Sequence, residues 1–301
     1  MSSYHTSVLL HDSVDALNID PNGTYVDVTF GGGGHSKEIL KRLDKGRLIA
    51  FDQDQDALKN AIDDERFTLV NQNFRFLKNH LRMLGIKQID GLLGDLGVSS
   101  HQFDIPDRGF SIRFDADLDM RMNQLSPLTA KKILNTYEES DLRKLFFVFG
   151  DLKNAGKLAR AIVQKRDEAK INTVDELKVV LKPFAPAHKW NSFLAKVFQA
   201  LRIEVNEEVK VLEEMLLQTA DVIKPGGRLV IISYHSLEDR LVKNVMRSGN
   251  LSGNVEKDFY GNQLRPFKPH KGMPIIPGEE EVKENNRARS ARLRIADRID
   301  E

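Results

Sequence analysis

The residues best spaced to do chemistry are four glycines and the aspartates around them. Gly31 to Gly34 follow an apolar, β-branched run, Tyr25–Phe30, and precede a helical stretch from about Ser36 to Leu43. A second apolar run, Arg47–Phe51, ends on Asp52. A strand, glycine turn, helix, strand and acid in this order make a nucleotide-cofactor site. Glycines adopt backbone angles closed to other residues and let the main chain come close to a ligand. The helix N-terminus offers unbonded N–H groups and partial positive charge. An acid at the tip of the next strand accepts the hydroxyls of a ribose. A dinucleotide fold wants a third glycine for close helix–strand packing; Gly31 and Gly33 fit, but Ser36 stands at the third place. Asp27 lies in the first strand, just before the glycines. An acid there suits a cofactor with an ammonium group better than one with a pyrophosphate. S-adenosylmethionine carries an ammonium, a sulfonium and a ribose diol, and no phosphate.

Two further candidates follow later strands. Asp95, in GLLGDLGVSS, reads either as a turn aspartate bonded to nearby N–H groups or as a site carboxylate that holds a cofactor or orients an attacking amine. Ser99 and Ser100 suit helix capping. His235, in SYHSLEDR, reads as a proton shuttle or as a polar group lining a pocket. Its neighbour Ser236 suits the N-cap of a helix, with Asp239 three residues on. A serine hydrolase would need a G-x-S-x-G elbow, which the chain lacks. Asp115, Asp117 and Asp119 alternate like a calcium loop, but Met120 and Ser126 stand where that loop needs Gly and Glu. Pairs with Arg113 and Arg121 are the expectation there, and no metal site is expected.

The elements that must position these groups alternate in the first half. Strand candidates are Tyr25–Phe30, Leu48–Phe51, Thr68–Val70 and Ile89–Leu93, with helical stretches Ser36–Leu43, Asp56–Ile62 and Phe74–Leu84 between them. This predicts a largely parallel sheet with crossover helices and a site beyond the carboxyl ends of the strands. Alternation stops after Ser100. Helical patterns run from about Leu128 to Ile203, Lys153–Arg166 and Val174–Leu181 being amphipathic, with Pro183 and Pro186 as breaks. A helix over Asn206–Ile223, a Lys224-Pro225-Gly226-Gly227 turn and a fifth strand, Arg228–Ser233, then resume the α/β pattern. The expected organisation is one discontinuous α/β domain, 1–104 and 204–301, with an all-helical insertion at 105–203. The tail reads as an extended 261–278, an acidic 279–284 and a basic finish from Arg287 to Arg298.

Composition bounds the partners. Of 301 residues, 41% are hydrophobic and 30% charged, as in ordinary globular proteins. The net charge is only +1, so a nucleic-acid surface must come from clustering. Such a cluster exists: from Asp151 to Arg202 eleven Lys/Arg face five Asp/Glu, with Phe184, Trp190, Phe193 and Phe198 interleaved. It reads as a solvated helix face or, together with the basic tail, as an RNA surface. Cysteine is absent, which removes thiolate catalysis and fits a reducing compartment. The N-terminus lacks the pattern of a signal peptide, and no apolar run reaches membrane-spanning length, so a cytoplasmic protein without a membrane partner is expected.

Several segments are long and uncommon: HTSVLL at 5–10, VTFGGGGHS at 28–36, DLGVSSHQFD at 95–104, RGFS at 108–111, LDMRM at 118–122, FQALRI at 198–203, GGRLVIISYHSLEDRLVK at 226–243 and RARSARLR at 287–294. Together they resemble the bacterial small-subunit ribosomal RNA cytosine-N4 methyltransferases, the methyltransferase H or MraW family, over nearly the whole chain. The resemblance implies a class I S-adenosylmethionine-dependent methyltransferase domain, Rossmann-like, with a helical substrate-recognition insertion. It implies methylation of the exocyclic N4 of one cytidine in the decoding region of 16S rRNA, within the small ribosomal subunit. Carried over by position, cofactor contacts fall on Gly33, Gly34, His35, Asp52, Phe74, Asp95 and Gln102. Asp95 and His235 are the candidates for catalytic roles. Many DNA amino-methyltransferases place a Pro-Pro-aromatic element after the fourth strand. This chain has Asp95-Leu96-Gly97-Val98, so analogy does not choose the group that holds the amine. Two other classes compete: a dinucleotide-dependent oxidoreductase, and a non-catalytic RNA-binding assembly factor.

Overall fold

The structure, a computed structural model, describes residues 7–300. His5 and Thr6 of the HTSVLL segment lie outside them. The chain forms two compact units, Met1–Gly97 with Val209–Glu301, and Val98–Glu208. The first unit begins with α1 (Leu10–Ala16), β1 (Thr24–Asp27), α2 (Gly34–Arg42), β2 (Arg47–Phe51), β3 (Phe67–Val70), α3 (Leu77–Met83) and β4 (Ile89–Asp95). The second holds α4 (Ser100–Asp104), α5 (Ala130–Thr136), α6 (Glu139–Val148), α7 (Ala155–Glu168), α8 (Val174–Leu181) and α9 (Trp190–Val205). The chain then returns through α10 (Glu208–Val222), β5 (Ile223–Ser233), α11 (Ser236–Ser248), β6 (Phe267–Pro269), α12 (Glu279–Glu284) and β7 (Arg292–Arg298).

One seven-stranded sheet organises the first unit, in the order β3-β2-β1-β4-β5-β7-β6. β1 to β5 run parallel, and β7 runs antiparallel to both β5 and β6. Parallel strands are covered on both faces and read as continuous apolar runs. β5 shows this at single-residue period. Leu229 and Ile231 join a core with Leu77 and Leu81 of α3, Met215 and Leu216 of α10, and Val242 of α11. Val230 and Ile232 join another with Val14 of α1 and Ile39 and Leu40 of α2. Each fully buried Leu or Ile contributes about 1.5–3 kcal/mol. Between Ile223 and Arg228 the strand loops out, so Ile89 faces Ile223 while Gly91 already faces Arg228. The Lys-Pro-Gly-Gly turn is that excursion.

The basic finish differs from expectation. Arg287 and Arg289 lie in a 3-10 turn, and the rest is β7, with Leu293 and Ala296 fully buried. Arg294 donates to both oxygens of Asp239 at 2.6 and 3.0 Å, and Arg292 adds a contact at 3.3 Å. Arg298 donates to the carbonyls of Ala220 and Pro266. Arg294 and Arg298 fasten the last strand to α11 and α10. The period-two pattern was hidden because arginines alternate with small and apolar residues.

The helical unit has its own core, formed by residues such as Leu142, Phe146, Leu158, Ile162, Leu177, Val197 and Leu201. Its long connection, 109–129, is held by side chains that supply the missing backbone partners. Arg108 donates to the carbonyls of Arg121 and Met122, while Asn206 both accepts from Met122 N–H and donates to Met120 O. Gly109 has φ +70°, and a Cβ there would lie 2.3 Å from Asp117 O. The three alternating aspartates are spent internally: Asp119 on Arg121, Asp117 on Lys131 and Asp115 on the Asp175 N–H. Arg113 lies over the Phe103 ring rather than in an ion pair with them.

Candidate active site at the carboxyl ends of the parallel strands

β1 leads into the glycine turn, and a buried carboxylate shapes it. Asp27, at the end of β1, is wholly buried. One oxygen accepts from the Ser36 hydroxyl at 2.6 Å, and the other from the Thr29 N–H at 3.0 Å. Thr29 Oγ1 in turn accepts the Asp95 N–H at 2.6 Å. Asp27 therefore ties the tips of β1 and β4 to the start of α2. Burial raises its pKa, against the hydrogen bonds that favour the charged form. The expectation that Asp27 would meet an ammonium is corrected: its oxygens are turned inward. Ser36 stands at the third fingerprint position because its hydroxyl is the partner of this acid.

Gly33 is the N-cap of α2 with φ +77°, a conformation open to glycine, and no side chain caps the helix. The turn is clamped from β2. Asp52 accepts the Gly31 N–H on one oxygen and the Asp54 N–H on the other, both at 2.8 Å. Two backbone donors fix the carboxylate plane and leave each oxygen a further lone pair. Burial pushes Asp52 up to about 6, against these two bonds. Phe74 follows β3 in a short 3-10 turn started by Asn73, and packs half-buried against the sheet core.

Asp95 ends β4 at the centre of the sheet. Tyr234, the first residue beyond β5, donates its hydroxyl to Asp95 Oδ1 at 2.7 Å. His35 approaches from α2, with Nδ1 at 4.0 Å from Asp95 Oδ2. The other imidazole nitrogen, Nε2, lies 3.2 Å from Val8 O. A carbonyl only accepts, so Nε2 carries the hydrogen. Burial lowers the His35 pKa, against the pull of Asp95, and in the neutral ring that burial favours Nδ1 is an acceptor. Burial likewise raises Asp95, to about 6, partly offset by His35 and by the tyrosine bond. In that form His35 Nδ1 and Asp95 Oδ2 are two acceptors 4.0 Å apart, able to take an N–H group. Tyr234 is held well above the ordinary phenol value by burial and the adjacent carboxylate, so it remains a donor.

His35, Gly33, Gly34, Asp52, Phe74 and Asp95 all lie at the strand ends of the first unit. Gln102 lies in the helical unit. There its side chain closes a capping box on α4 with Ser99, which is the N-cap. His235, not Ser236, is the N-cap of α11: its Nδ1 accepts the Glu238 N–H, and its Nε2 lies 3.1 Å from Glu238 Oε1. Asp239 is absent from that cap because it faces Arg294. The segment around Tyr234 and His235 reads from the sequence as a candidate cytosine pocket; the bond from Tyr234 to Asp95 is what the sequence does not show. The signal for that segment was its position, just past the end of the strand that pairs with β4.

Comparison with known proteins decides the family. The model of the MraW methylase family matches residues 2–299. The chain belongs to the MraW methylase family. It is 61% identical over 297 residues to ribosomal RNA small subunit methyltransferase H of Flavobacterium johnsoniae, covering 98% of each chain. It is 60% identical over 300 residues to the protein of that name from Christiangramia forsetii, covering 99% of each. A solved rRNA methylase from Streptococcus thermophilus has a TM-score of 0.43 at 14% identity, over 98% of this chain and 99% of that one. For this MraW methylase the parallel sheet with an antiparallel β7 between β5 and β6 is the class I methyltransferase fold. No helix among the described residues is long and apolar enough to cross a membrane.

Proposed function

We propose that this protein methylates the exocyclic N4 of a cytidine in the decoding region of 16S rRNA within the small ribosomal subunit, with S-adenosylmethionine as methyl donor. The relatives' names support the RNA class, and the slot between His35 Nδ1 and Asp95 Oδ2 carries the chemistry. The donor set fits S-adenosylmethionine. Asp52 has lone pairs for the ribose hydroxyls, Gly33 and Gly34 open the turn to the methionine part, and Phe74 offers an apolar surface to adenine. The His35–Asp95 slot takes the ammonium. When bound, S-adenosylmethionine supplies a methyl carbon made electrophilic by its sulfonium.

Cytosine N4 is a poor nucleophile because its lone pair is delocalised into the ring. Asp95 accepts a hydrogen bond from N4 as positive charge develops there, using a lone pair of the oxygen that Tyr234 holds. Bound there, S-adenosylmethionine would supply the methyl group to N4 and its sulfur would keep the electron pair of the S–C bond, so the chain's own residues need only align N4 and take its proton. The surplus N4 proton passes to Asp95 and then to water. No covalent enzyme intermediate is needed. Positioning and a preorganised carboxylate supply most of the acceleration. His235 acts through the start of α11, which sets Tyr234.

The helical unit, 105–203, is the substrate-recognition part of this reading. Arg160, Lys165, Lys178, Lys196 and Arg202 each have an acidic partner. Lys157, Lys182 and Lys189 are exposed and in no ion pair with an acid among the described residues, and exposed Lys153 has only Asp151 nearby. These four are the phosphate contacts. Phe193 and Phe198 are core residues, so the unit binds the RNA backbone rather than stacking on bases through them.

The test is methyl transfer from labelled S-adenosylmethionine to small subunits lacking the modification, to naked 16S rRNA and to DNA, followed by nucleoside analysis. N4-methylcytidine in the subunits supports the reading. Label only in DNA removes the substrate assignment. Absence of label despite cofactor binding favours an assembly factor.

A further inference from the structure

Residues 256–264 form a short hairpin whose tip carries two aromatic side chains in full solvent. Phe259 is 98% exposed and Tyr260 86%, with their rings edge-on at 5.7 Å. Leu264, on the returning arm, is 56% exposed. The tip is built. Lys257 and Gln263 form a bridge, and Leu264 N–H donates to Glu256 O. Asp258 accepts from the N–H groups of Tyr260 and Asn262 and from the Asn262 side chain, between 2.8 and 2.9 Å. Gly261 supplies the positive φ of the turn. The base is anchored as well. Asn244 and Arg247 of α11 donate to the carbonyls of Leu251 and Gly253, and Phe267 is fully buried just beyond.

Scattered exposed apolar residues need no explanation, but two adjacent aromatics on a fixed turn amount to a displayed contact surface. Their surroundings choose the partner. Between residues 256 and 271 stand Lys257, Arg265, Lys268 and Lys271 against two acids, Glu256 and Asp258. None of the four cations has an acidic partner among the described residues. The carboxylate of Asp258 is taken up by the turn. Aromatic rings in a cationic setting match the two faces of a single-stranded nucleic acid, its bases and its phosphates. A finger docking on a neutral surface would gain nothing from four unpaired cations around it, and the polyanion that the proposed function supplies is ribosomal RNA.

We propose that this hairpin is an RNA-binding finger, with Phe259 and Tyr260 stacking on unpaired bases while Lys257, Arg265, Lys268 and Lys271 meet the backbone. The inference rests on the reading of the substrate as rRNA. The finger acts away from the reacting atoms. α11 starts beside Asp95's partner Tyr234 and runs 13 residues before the chain turns toward the hairpin, a helix of about 20 Å. A nucleoside at the strand tips does not reach the finger, whereas a ribosomal RNA does. The finger therefore contributes to capture of the large substrate and not to cofactor binding or to the chemical step.

The experiment compares wild type with Phe259→Ala/Tyr260→Ala, Phe259→Leu/Tyr260→Leu and Phe259→Tyr/Tyr260→Phe. The probe is a labelled single-stranded RNA oligonucleotide followed by anisotropy, with S-adenosylmethionine affinity and methyl transfer to unmodified subunits measured in parallel. The Ala and Leu pairs should each weaken RNA binding about 10-fold, and the aromatic exchange should keep it. All variants should bind the cofactor equally. RNA affinity unchanged in the Ala pair overturns the proposal. Affinity retained by the Leu pair assigns the tip to a general apolar contact instead. Self-association that disappears in the Ala pair, with RNA binding intact, assigns it to a second copy of this chain. If wild type binds RNA through the finger yet methylates no rRNA, the functional reading fails and the finger stands.

Discussion

The strand tips and the helical unit handle charge in opposite ways. At the tips Asp27 is wholly buried and Asp52 and Asp95 are half-buried, and each is wired through a named donor: Ser36 and Thr29, the Gly31 and Asp54 amides, and Tyr234. In the helical unit most cations are at the surface in loose pairs or unpaired, such as Lys165 beside Glu168 and Lys196 beside Asp151. Buried, wired charges are costly to place and costly to lose. Surface charges act in number and are individually expendable. Single substitutions should therefore be severe at the tips and slight in the helical unit.

The largest effect is expected for Asp95→Asn. Loss of the acceptor should lower the methyl-transfer rate constant by about 10²–10³. The same substitution should raise the melting temperature of the ligand-free protein. Asp95 sits at about 6 in the folded state against an ordinary 3.8. The folded state thus binds the proton more tightly, so stability falls as pH rises from about 4 to 6 and is lower by roughly 3 kcal/mol above that window. A variant that is both inactive and less stable would break the contrast.

Asp239→Asn is next. It leaves Arg294 without its carboxylate beneath β7, and a loss of about 3 kcal/mol in denaturant unfolding is expected. Its folded pKa is depressed chiefly by Arg294, against burial. That stabilisation is present above the unfolded carboxylate value and fades as pH falls through the lower folded one. Asp52→Asn should weaken S-adenosylmethionine binding about 10-fold by calorimetry, since an amide still reaches one ribose hydroxyl. The smallest single effects belong to Lys153, Lys157, Lys182 and Lys189. Each Lys→Ala change should alter RNA affinity only a few-fold. The fourfold variant should lower the salt slope of RNA binding by about 3. One of them matching Asp95 in severity would overturn the distinction.

The same contrast explains what was legible in the sequence. β1 to β5 and the glycine turn announce themselves because parallel strands are buried runs of adjacent residues, and topology sends their ends to one edge. Asp52 and Asp95 could be picked from position alone. The segment around Tyr234 could be picked as a pocket candidate, but not the role of its hydroxyl, which lies in a bond across two strands. β7 was hidden since its arginines mimic a solvated tail until Asp239 is seen opposite them. The aromatics of the helical unit looked like a stacking surface, yet Phe193 and Phe198 are core. Phe259 and Tyr260 drew no attention in a loop-like stretch and are among the most exposed apolar side chains described. Burial is a tertiary property, and composition along the chain does not encode it.

The measurement that bears most directly on Asp95 as the acceptor is the pH dependence of single-turnover methyl transfer in wild type and Tyr234→Phe, on small subunits lacking the modification. The tyrosine bond favours the ionised carboxylate, so its loss raises the Asp95 pKa. In kcat/KM, which reports the free enzyme, wild type should lose activity below about pH 6. The variant should lose it at higher pH, with a plateau about 10-fold lower. An acid limb that stays in place in the variant, or none at all in wild type, would contradict Asp95 as the group that takes the N4 hydrogen.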